Sequence, residues 1–296
     1  MIEAIKTQNK FFVSIIVPVY NEEKAIGRVI DDINREIRKG DYLYEIIVVD
    51  DASSDRSAEI AKERKVRVIQ RRINGGSGAS RKTGIKNAAG EIIVMLDGDG
   101  SYDASSIPKM LSYFPEYDQV NGARISEEGT FKILRFSAKW LIRKLACYLT
   151  GTKIPDLNTG LKSFKRDIMK KYLWMIPDGF SCVTSMTLAF LTNGHSVKYI
   201  PTKYFKRIGK SKFHPIKDTL SYLQTIIRMI TFFSPLKIFL PVSLFLFFAG
   251  IFIFLFSYFF TPKVMDISTI ILLVSSFQIL AIGTLAELIV KTRNRQ

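Results

Sequence analysis

The segment Leu96–Asp103, LDGDGSYD, places three aspartates directly behind a run of apolar residues. Asp97 and Asp99 are two positions apart, and the glycines beside them leave room around both carboxylates. Two carboxylates held so close repel each other unless a cation lies between them. Hard oxygen ligands suit Mg²⁺ or Mn²⁺, and these ions commonly share their coordination shell with substrate phosphates. We therefore predict that Asp97 and Asp99 bind a divalent metal, and we expect Asp103 to cap the following helix.

A glycine-rich loop at residues 74–84, NGGSGASRKTG, is a second candidate for phosphate binding. A Walker A loop requires glycine directly before Lys-Ser/Thr, but Arg81 precedes Lys82 here. A dinucleotide fingerprint requires G-x-G-x-x-G after the first strand, whereas this loop follows the third predicted strand and ends in arginine. Neither motif is therefore present. Two interpretations stay open: the glycines let backbone approach a ligand near Arg81 and Lys82, or the loop is simply flexible.

The elements that position these residues alternate between strand and helix. Such alternation is typical of an α/β fold with a mostly parallel sheet and helices on both faces. Ligands bind beyond the carboxyl ends of the strands in such sheets, so the residues that follow the strands should face one crevice. Apolar runs predict strands at 13–19, 44–50, 66–71 and 91–97; helical spacing predicts a helix at 22–37; and Ser53 or Ser54 is the expected N-cap of the next helix.

Two later segments, 238–260 and 267–286, contain no charged side chain. As helices they would be about 35 and 30 Å long, enough to cross a hydrocarbon core of about 30 Å. The alternative, two buried core helices, is disfavoured because the first segment has no polar face. The six residues between the segments predict a hairpin. Basic residues flank both of its ends, so the positive-inside rule predicts that both termini are cytoplasmic.

The chain of 296 residues has a formal net charge of +16. Nucleic-acid binding is not expected, since no nucleic-acid motif and no interleaved aromatic and basic stripe are present. Anionic lipid headgroups or a phosphate-bearing substrate account better for this charge. Cys147 and Cys182 make neither a metal site nor a disulfide framework, and His195 and His214 are interpreted as structural or surface residues. The N-terminus lacks a signal-type apolar core, so nothing predicts export of the large domain.

Six segments, in this order along the chain, resemble the motif series of family 2 inverting glycosyltransferases. The resemblance covers about residues 13–213 and is greatest to the dolichyl-phosphate mannose synthase and polyprenyl-phosphate glycosyltransferase branch, several members of which have a C-terminal membrane hairpin. The segments are IIVPVYNEE (15–23), VVDDASSD (48–55), the stretch 74–103, NGAR (121–124), DLNTGLKSFKRD (156–167) and KRIGKSKF (206–213).

The resemblance implies a GT-A fold, Rossmann-like with a mostly parallel sheet, that binds a UDP- or GDP-hexose with Mg²⁺ or Mn²⁺ as cofactor. The residues implied for the nucleotide-sugar are Pro18, Tyr20, Glu22, Val49, Asp51, Gly76, Asp97, Asp99, Lys206, Arg207 and Lys212. Those implied for the acceptor phosphate are Arg124, Arg135, Ser137, Lys139 and Ser211. The implied catalytic residues are Asp99, Asp156 and Arg124, and the metal ligands are Asp97 and Asp99.

The activity implied is transfer of one hexose to polyprenyl or dolichyl phosphate at a membrane. A lipid monophosphate is already an anion, so the enzyme chiefly has to position it and neutralise charge. Processive synthases use a Q-x-x-R-W motif that this chain lacks, which favours single transfer. Two positions depart from the family: Ser101 stands where relatives often have glutamine, a metal ligand in some, and Ser77 where many have lysine.

The predicted organisation is a cytoplasmic catalytic domain at 1–213, amphipathic interfacial helices at 214–235 and a membrane hairpin at 236–291. For residues 218–233, packing in a core is the alternative to the membrane interface. The expected location is the cell membrane, or the endoplasmic reticulum membrane in a eukaryote, with membrane lipids as partners and a homo-oligomer left open. Two functional alternatives also stay open: transfer to another lipid or glycan acceptor, and a non-catalytic scaffold that binds sugar nucleotides.

Overall fold

The computed structural model describes residues 11–125, 143–148, 150–179, 181–208, 215–260 and 266–293. The chain divides between Thr225 and Ile226 into two compact units. The first unit contains the motifs that resemble glycosyltransferases, and the second contains both long apolar helices.

Seven strands within the described residues form one mixed sheet. The strands are β1 (Phe12–Val19), β2 (Leu43–Asp50), β3 (Arg67–Gln70), β4 (Ile92–Met95), β5 (Gln119–Arg124), β6 (Lys162–Lys165) and β7 (Val197–Thr202). Their order is β3-β2-β1-β4-β6-β5-β7. The first four strands are parallel, β6 is antiparallel to β4 and β5, and β7 is parallel to β5. The predicted mostly parallel sheet is therefore confirmed, although its second half contains one reversed strand.

Helices accompany the sheet, and nine of the α-helices in the described part of the chain are numbered here. They are α1 (Ile26–Ile37), α2 (Ser57–Glu63), α3 (Ser77–Asn87), α4 (Ser106–Leu111), α5 (Arg166–Tyr172), α6 (Cys182–Thr192), α7 (Pro215–Phe233), α8 (Leu236–Phe260) and α9 (Asp266–Arg293). The helix α7 crosses the boundary between the two units.

Helices cover both faces of the sheet because the side chains of a strand alternate between its faces. Val13, Ile15 and Val17 of β1 belong to one buried cluster with the isoleucines of α1. Ile16 points to the other face, where a Cβ atom on Gly84 of α3 would collide with it. Burial of one such aliphatic side chain contributes about 1.5–3 kcal/mol, so both helices are fixed firmly against β1.

Three local predictions are wrong because longer-range contacts decide the backbone. The helix α1 begins at Ile26 rather than at residue 22, since the chain turns at Asn21, whose φ is 53°. The N-cap of α2 is Arg56, because Ser53 and Ser54 instead exchange hydrogen bonds with Asn21.

The third wrong local prediction is that Asp103 caps α4. It precedes Ser105, the N-cap of α4, and accepts the N–H group of that residue at 2.9 Å. It therefore stabilises the turn that leads into α4 rather than the first turn of the helix.

In the second unit, α8 and α9 pack against each other through small residues. Ser243 donates a hydrogen bond to the backbone oxygen of Ser276 at 3.0 Å, and Gly250 faces two leucines of α9. Most other side chains of both helices are exposed, and the mean hydropathy reaches 2.7 in α8 and 2.0 in α9. Small residues of this kind allow membrane helices to approach closely. Both predicted spans fall within these helices, which are long and apolar enough to cross a membrane.

Gly283 provides a test of this packing, because a Cβ atom there would collide with Phe239 of α8. We expect Gly283→Leu to destabilise the hairpin by about 1–3 kcal/mol through overpacking. Thermal unfolding of the full chain in detergent measures the effect. The matched control is Ala281→Leu, which adds volume on an exposed face and should leave the midpoint unchanged. Equal midpoints for the two variants would contradict the packing described.

Candidate active site

A cavity of about 350 Å³ lies beyond the carboxyl ends of β1, β2 and β4. This edge of a parallel sheet is where α/β proteins bind ligands. Many residues implied for the nucleotide-sugar line it, namely Pro18, Tyr20, Glu22, Asp51, Gly76, Asp97, Asp99 and Arg207. Val49 is buried within β2 and Lys206 is exposed on the surface, and neither lines the cavity. The remaining candidates Arg135, Ser137, Lys139, Ser211 and Lys212 lie outside the described residues.

The two aspartates of the D-x-D motif both reach this cavity, and each is held by other groups. Asp97 forms an ion pair with Arg81 through its Oδ1 atom. Asp99 accepts hydrogen bonds on Oδ1 from the backbone N–H of Ser101 at 3.0 Å and from its hydroxyl at 2.5 Å. Ser101 is fully buried, so this departure from the family pattern orients Asp99 from within the protein.

The carboxylates of Asp97 and Asp99 suit a hard divalent cation, but they provide few ligands. Carboxylate oxygens are the ligands that Mg²⁺ and Mn²⁺ favour. Within the described residues, no group of three or more Asp, Glu, His or Cys side chains could hold a metal ion. A metal held by Asp97 and Asp99 would therefore need further ligands from the phosphate oxygens of a donor or from water.

The backbone N–H groups of the glycine loop, at the start of α3, donate hydrogen bonds to other parts of the protein. The N–H groups of Gly75 and Gly76 donate to the carboxylate of Asp51 at 3.1 and 2.7 Å. Those of Gly78 and Ala79 donate to the carbonyl oxygen of Asp178 at 2.7 and 3.2 Å. These four N–H groups are therefore engaged, and the glycines allow close approach to the Asp178 segment rather than form a phosphate cradle. Glycine is needed most at position 76, because the backbone φ angle there is +92°, which residues with a side chain rarely adopt.

Arg81 and Lys82, the two basic residues in the first half of α3, are also engaged with the protein. Lys82 donates to the carbonyl oxygen of Ile176 at 3.0 Å and pairs with the carboxylate of Asp178 at 2.6 Å. Arg81 is buried, with 3% of its side chain exposed, and contacts Asp97, Ser77 and the thiol of Cys182. Arg81 therefore contacts the D-x-D motif directly, whereas Lys82 contacts the segment that contains Ile176 and Asp178.

Arg124 and Asp156, both implied as catalytic residues, form a two-point ion pair. The Nε and terminal nitrogen atoms of Arg124 donate to the two carboxylate oxygens at 2.7 and 2.9 Å. Burial alone would raise the pKa of Asp156, but the hydrogen bonds and charge of Arg124 outweigh it and hold the pKa below its usual value. The carboxylate also accepts the N–H group of Asn158, which lines the cavity. The structure therefore places this pair beside the cavity.

Arg207 belongs to the segment after β7. This segment lies alongside the loop that contains Asp97 and Asp99. The N–H groups of Phe205 and Ile208 donate to the carbonyl oxygens of Ser101 and Asp99. Arg207 donates to Glu22 at 2.9 Å, and its Nε atom lies 3.6 Å from Oδ2 of Asp99. The motif KRIGKSKF thus begins directly against the D-x-D loop.

Several residues at the site were not predicted as ligands. Asn158 and Val183 line the cavity, and the hydroxyl of Thr184 donates to Asn158 at 2.6 Å. Lys162 is fully buried behind them in β6 and donates to the hydroxyl of Thr187 at 2.6 Å. Burial lowers the pKa of Lys162 to about 7. Asn158 and Lys162 both lie in the segment 156–167 that carries the family resemblance, which was the available signal.

A Rossmann-like mixed sheet with two aspartates at its ligand-binding edge is the GT-A arrangement of a glycosyltransferase. Residues 14–173 match the model of glycosyl transferase family 2, and residues 234–292 match that of the GtrB C-terminal hairpin. The first match spans more than half of the chain, so the chain belongs to glycosyl transferase family 2. The family resemblance, the GT-A fold and the classification as a glycosyltransferase are thereby confirmed.

Two curated relatives are similar in sequence to this chain over most of its length. A dolichyl-phosphate hexose transferase of Haloferax volcanii is 28% identical over 73% of this chain and 92% of its own. A dodecaprenyl-phosphate galacturonate synthase of Rhizobium johnstonii is 27% identical over 95% of this chain and 88% of its own.

Among solved structures, glucosyl-3-phosphoglycerate synthase from Mycobacterium tuberculosis, in complex with Mn²⁺, UDP and glucosyl-3-phosphoglycerate, superposes with a TM-score of 0.57. It is 18% identical and covers 74% of this chain and 80% of its own. At this identity the likeness establishes the fold alone.

Gly78 tests the role of the glycine loop, since a Cβ atom there would collide with the carbonyl oxygen of Pro177. We expect Gly78→Ala to push the Asp178 segment away from α3, lowering stability by about 1–3 kcal/mol and weakening nucleotide binding. Thermal unfolding and calorimetric titration with UDP or GDP measure both effects. Gly179→Ala is the control for stability, because nothing lies within 4 Å of its added Cβ atom. Unchanged stability of Gly78→Ala would refute the close contact.

Proposed function

We propose that this protein is a membrane-bound inverting glycosyltransferase that moves one hexose from a UDP- or GDP-hexose to polyprenyl or dolichyl phosphate. The observation that carries the proposal is the cavity at the carboxyl ends of β1, β2 and β4, where Asp97, Asp99 and Arg207 meet. The C-terminal hairpin supports a lipid acceptor, as do the names of the two relatives.

On the donor side, Pro18, Tyr20 and Asp51 would hold the nucleoside, with Val49 supporting Asp51 from within β2. Asp97 and Asp99 would hold Mg²⁺ or Mn²⁺ against the diphosphate. A bound divalent metal stabilises the negative charge that builds on the leaving diphosphate. Arg207 would exchange contacts with Glu22 and Asp99 for contacts with phosphate oxygens. Lys206 and Lys212 would add positive charge beside it.

On the acceptor side, the phosphate of the lipid attacks the anomeric carbon and is already ionised at neutral pH. Catalysis then consists of positioning and charge neutralisation, not proton removal. Arg124 would bind this phosphate, because a guanidinium group pairs with two phosphate oxygens as it does with the two oxygens of Asp156. Arg135, Ser137, Lys139 and Ser211 would complete the phosphate site. Asp156 would hold the Arg124 side chain in place until the acceptor arrives.

At the membrane, α8 and α9 would span the bilayer with both chain termini and the catalytic unit on the cytoplasmic side. Part of α7 would lie in the interface and lead the lipid phosphate toward the site. The location would be the cell membrane, or the endoplasmic reticulum membrane in a eukaryote.

The proposal predicts a glycolipid product from the purified chain, a polyprenyl phosphate, Mg²⁺ or Mn²⁺, and one member of a panel of UDP- and GDP-hexoses. Asp99→Asn should lower turnover by about a hundredfold or more, because the charge stabilisation supplied by a metal amounts to several kcal/mol. Mass spectrometry of the extracted lipid measures the product. Asp103→Asn is the matched control, since the Asp103 carboxylate accepts from Ser105 in the turn before α4 and does not line the cavity of Asp97 and Asp99. The proposal fails if no donor gives a product, and the metal assignment fails if Asp99→Asn remains active.

The acceptor role of Arg124 is tested by a double-mutant cycle with Asp156. We expect Arg124→Gln to raise the KM for polyprenyl phosphate about tenfold or more, since it loses a charge-assisted pair of hydrogen bonds. Asp156→Asn should affect this KM far less, because the guanidinium remains. Steady-state kinetics at saturating donor, with thermal unfolding of each variant, provide the measurement. Equal effects of both single variants and of the double variant on KM would show that the pair is only structural.

A further inference from the structure

Each aspartate of the D-x-D pair has an arginine of the chain itself beside it. Arg81 pairs with Asp97, and the Nε atom of Arg207 lies 3.6 Å from Asp99 while another of its nitrogens donates to Glu22. Three carboxylates and two guanidinium groups leave this part of the cavity with a single net negative charge. The site therefore attracts a free divalent cation much less than two unpaired carboxylates would.

The two arginines differ in their freedom to move. Arg207 is on a segment after the last strand, and 26% of its side chain is exposed. Arg81 is almost completely buried on α3, between Ser77, Cys182 and Asp97. Its helix is fixed in turn by the hydrogen bonds from Gly78 and Ala79 to the carbonyl oxygen of Asp178. Arg81 is therefore a permanent part of the site, whereas Arg207 can exchange partners.

The pairing also limits how Asp97 can bind a metal. Its Oδ1 atom is committed to Arg81, and the Oδ2 atom faces Gly160, where a Cβ atom would collide with it. Asp99 likewise uses Oδ1 for Ser101. The protein thus offers about one oxygen from each aspartate, and Mg²⁺ requires near-octahedral coordination that two such ligands cannot supply.

We propose that Arg81 is a positioning residue that fixes and neutralises Asp97, so that a divalent metal binds this protein only together with the diphosphate of its donor. This inference rests on the proposed function, because the diphosphate supplies the missing ligands and negative charge. Affinities for metal and nucleotide diphosphate are then strongly coupled. The coupling depends on the Arg81–Asp97 pair.

The test measures Mn²⁺ affinity of the full chain in detergent, by electron paramagnetic resonance of free Mn²⁺, with and without UDP or GDP. In the unsubstituted protein we expect the nucleotide to tighten Mn²⁺ binding by about a hundredfold, a coupling within the usual range for linked sites. Arg81→Met should bind Mn²⁺ alone about tenfold more tightly, since Arg81 then no longer neutralises the negative charge of Asp97. Its coupling factor should shrink toward one, and by reciprocity Mn²⁺ should improve its nucleotide affinity equally little.

Three further variants separate this role from a structural one. Arg81→Lys keeps the charge and should retain most of the coupling. Arg207→Met should also tighten Mn²⁺ binding without nucleotide, and it remains informative if Arg81→Met does not fold. Arg56→Met, at an exposed arginine of the N-cap of α2, should change neither affinity.

The outcomes distinguish this inference from the proposed function. Tight Mn²⁺ binding to the unsubstituted protein without nucleotide would overturn the inference, as would an Arg81→Met variant that binds UDP or GDP with unchanged coupling. If Arg81→Met does not fold, unchanged Mn²⁺ affinity in Arg207→Met overturns it. If the unsubstituted protein binds neither nucleotide under any condition, the proposed function fails and the coupling fails with it.

Discussion

Electrostatic repulsion between Asp97 and Asp99 is the constraint on which the site depends. A buried strand delivers both carboxylates to one cavity, and the surrounding chain is arranged to keep them there. Arg81 on α3 and Arg207 after β7 supply positive charge, while the buried hydroxyl of Ser101 fixes the orientation of Asp99. Elements from distant parts of the sequence therefore converge on two side chains.

Other carboxylates around the cavity are likewise paired with a basic side chain. In a chain with a net charge of +16, Arg71 pairs with Asp51, Lys82 with Asp178 and Arg124 with Asp156. Each of these pairs joins separate segments of the first unit. Pairs that are partly or wholly removed from water require good geometry to be favourable, and the hydrogen-bond distances here provide it. The basic side chains near the cavity thus hold carboxylates of the protein in place, and their charge also suits them to bind phosphates.

The first half of the sheet could be predicted from sequence because its strands are apolar runs between helical segments. The second half could not, since Gln119, Asn121 and Lys162 are buried polar residues in strands that lack an apolar pattern. The aspartates at the cavity were predicted correctly to share it. Their partners were not, because an ion pair such as that of Arg124 with Asp156 joins residues 32 positions apart. The contacts of the glycine loop could not be predicted for the same reason, since the carbonyl oxygen of Asp178 that accepts from Gly78 belongs to a residue a hundred positions further along the chain.

Lys162 has a consequence beyond its structural contacts. A lysine with a pKa of about 7 is half neutral at that pH, and a neutral amine is a nucleophile. The lowered pKa lasts only while the side chain is buried between β5, β6 and α6, because burial is its main cause. When this part of the sheet opens, the amine regains the ordinary lysine pKa of about 10.4 and takes up a proton. Between pH 7 and that value, opening therefore becomes easier as the pH falls, which makes the local stability of the sheet beside the cavity dependent on pH.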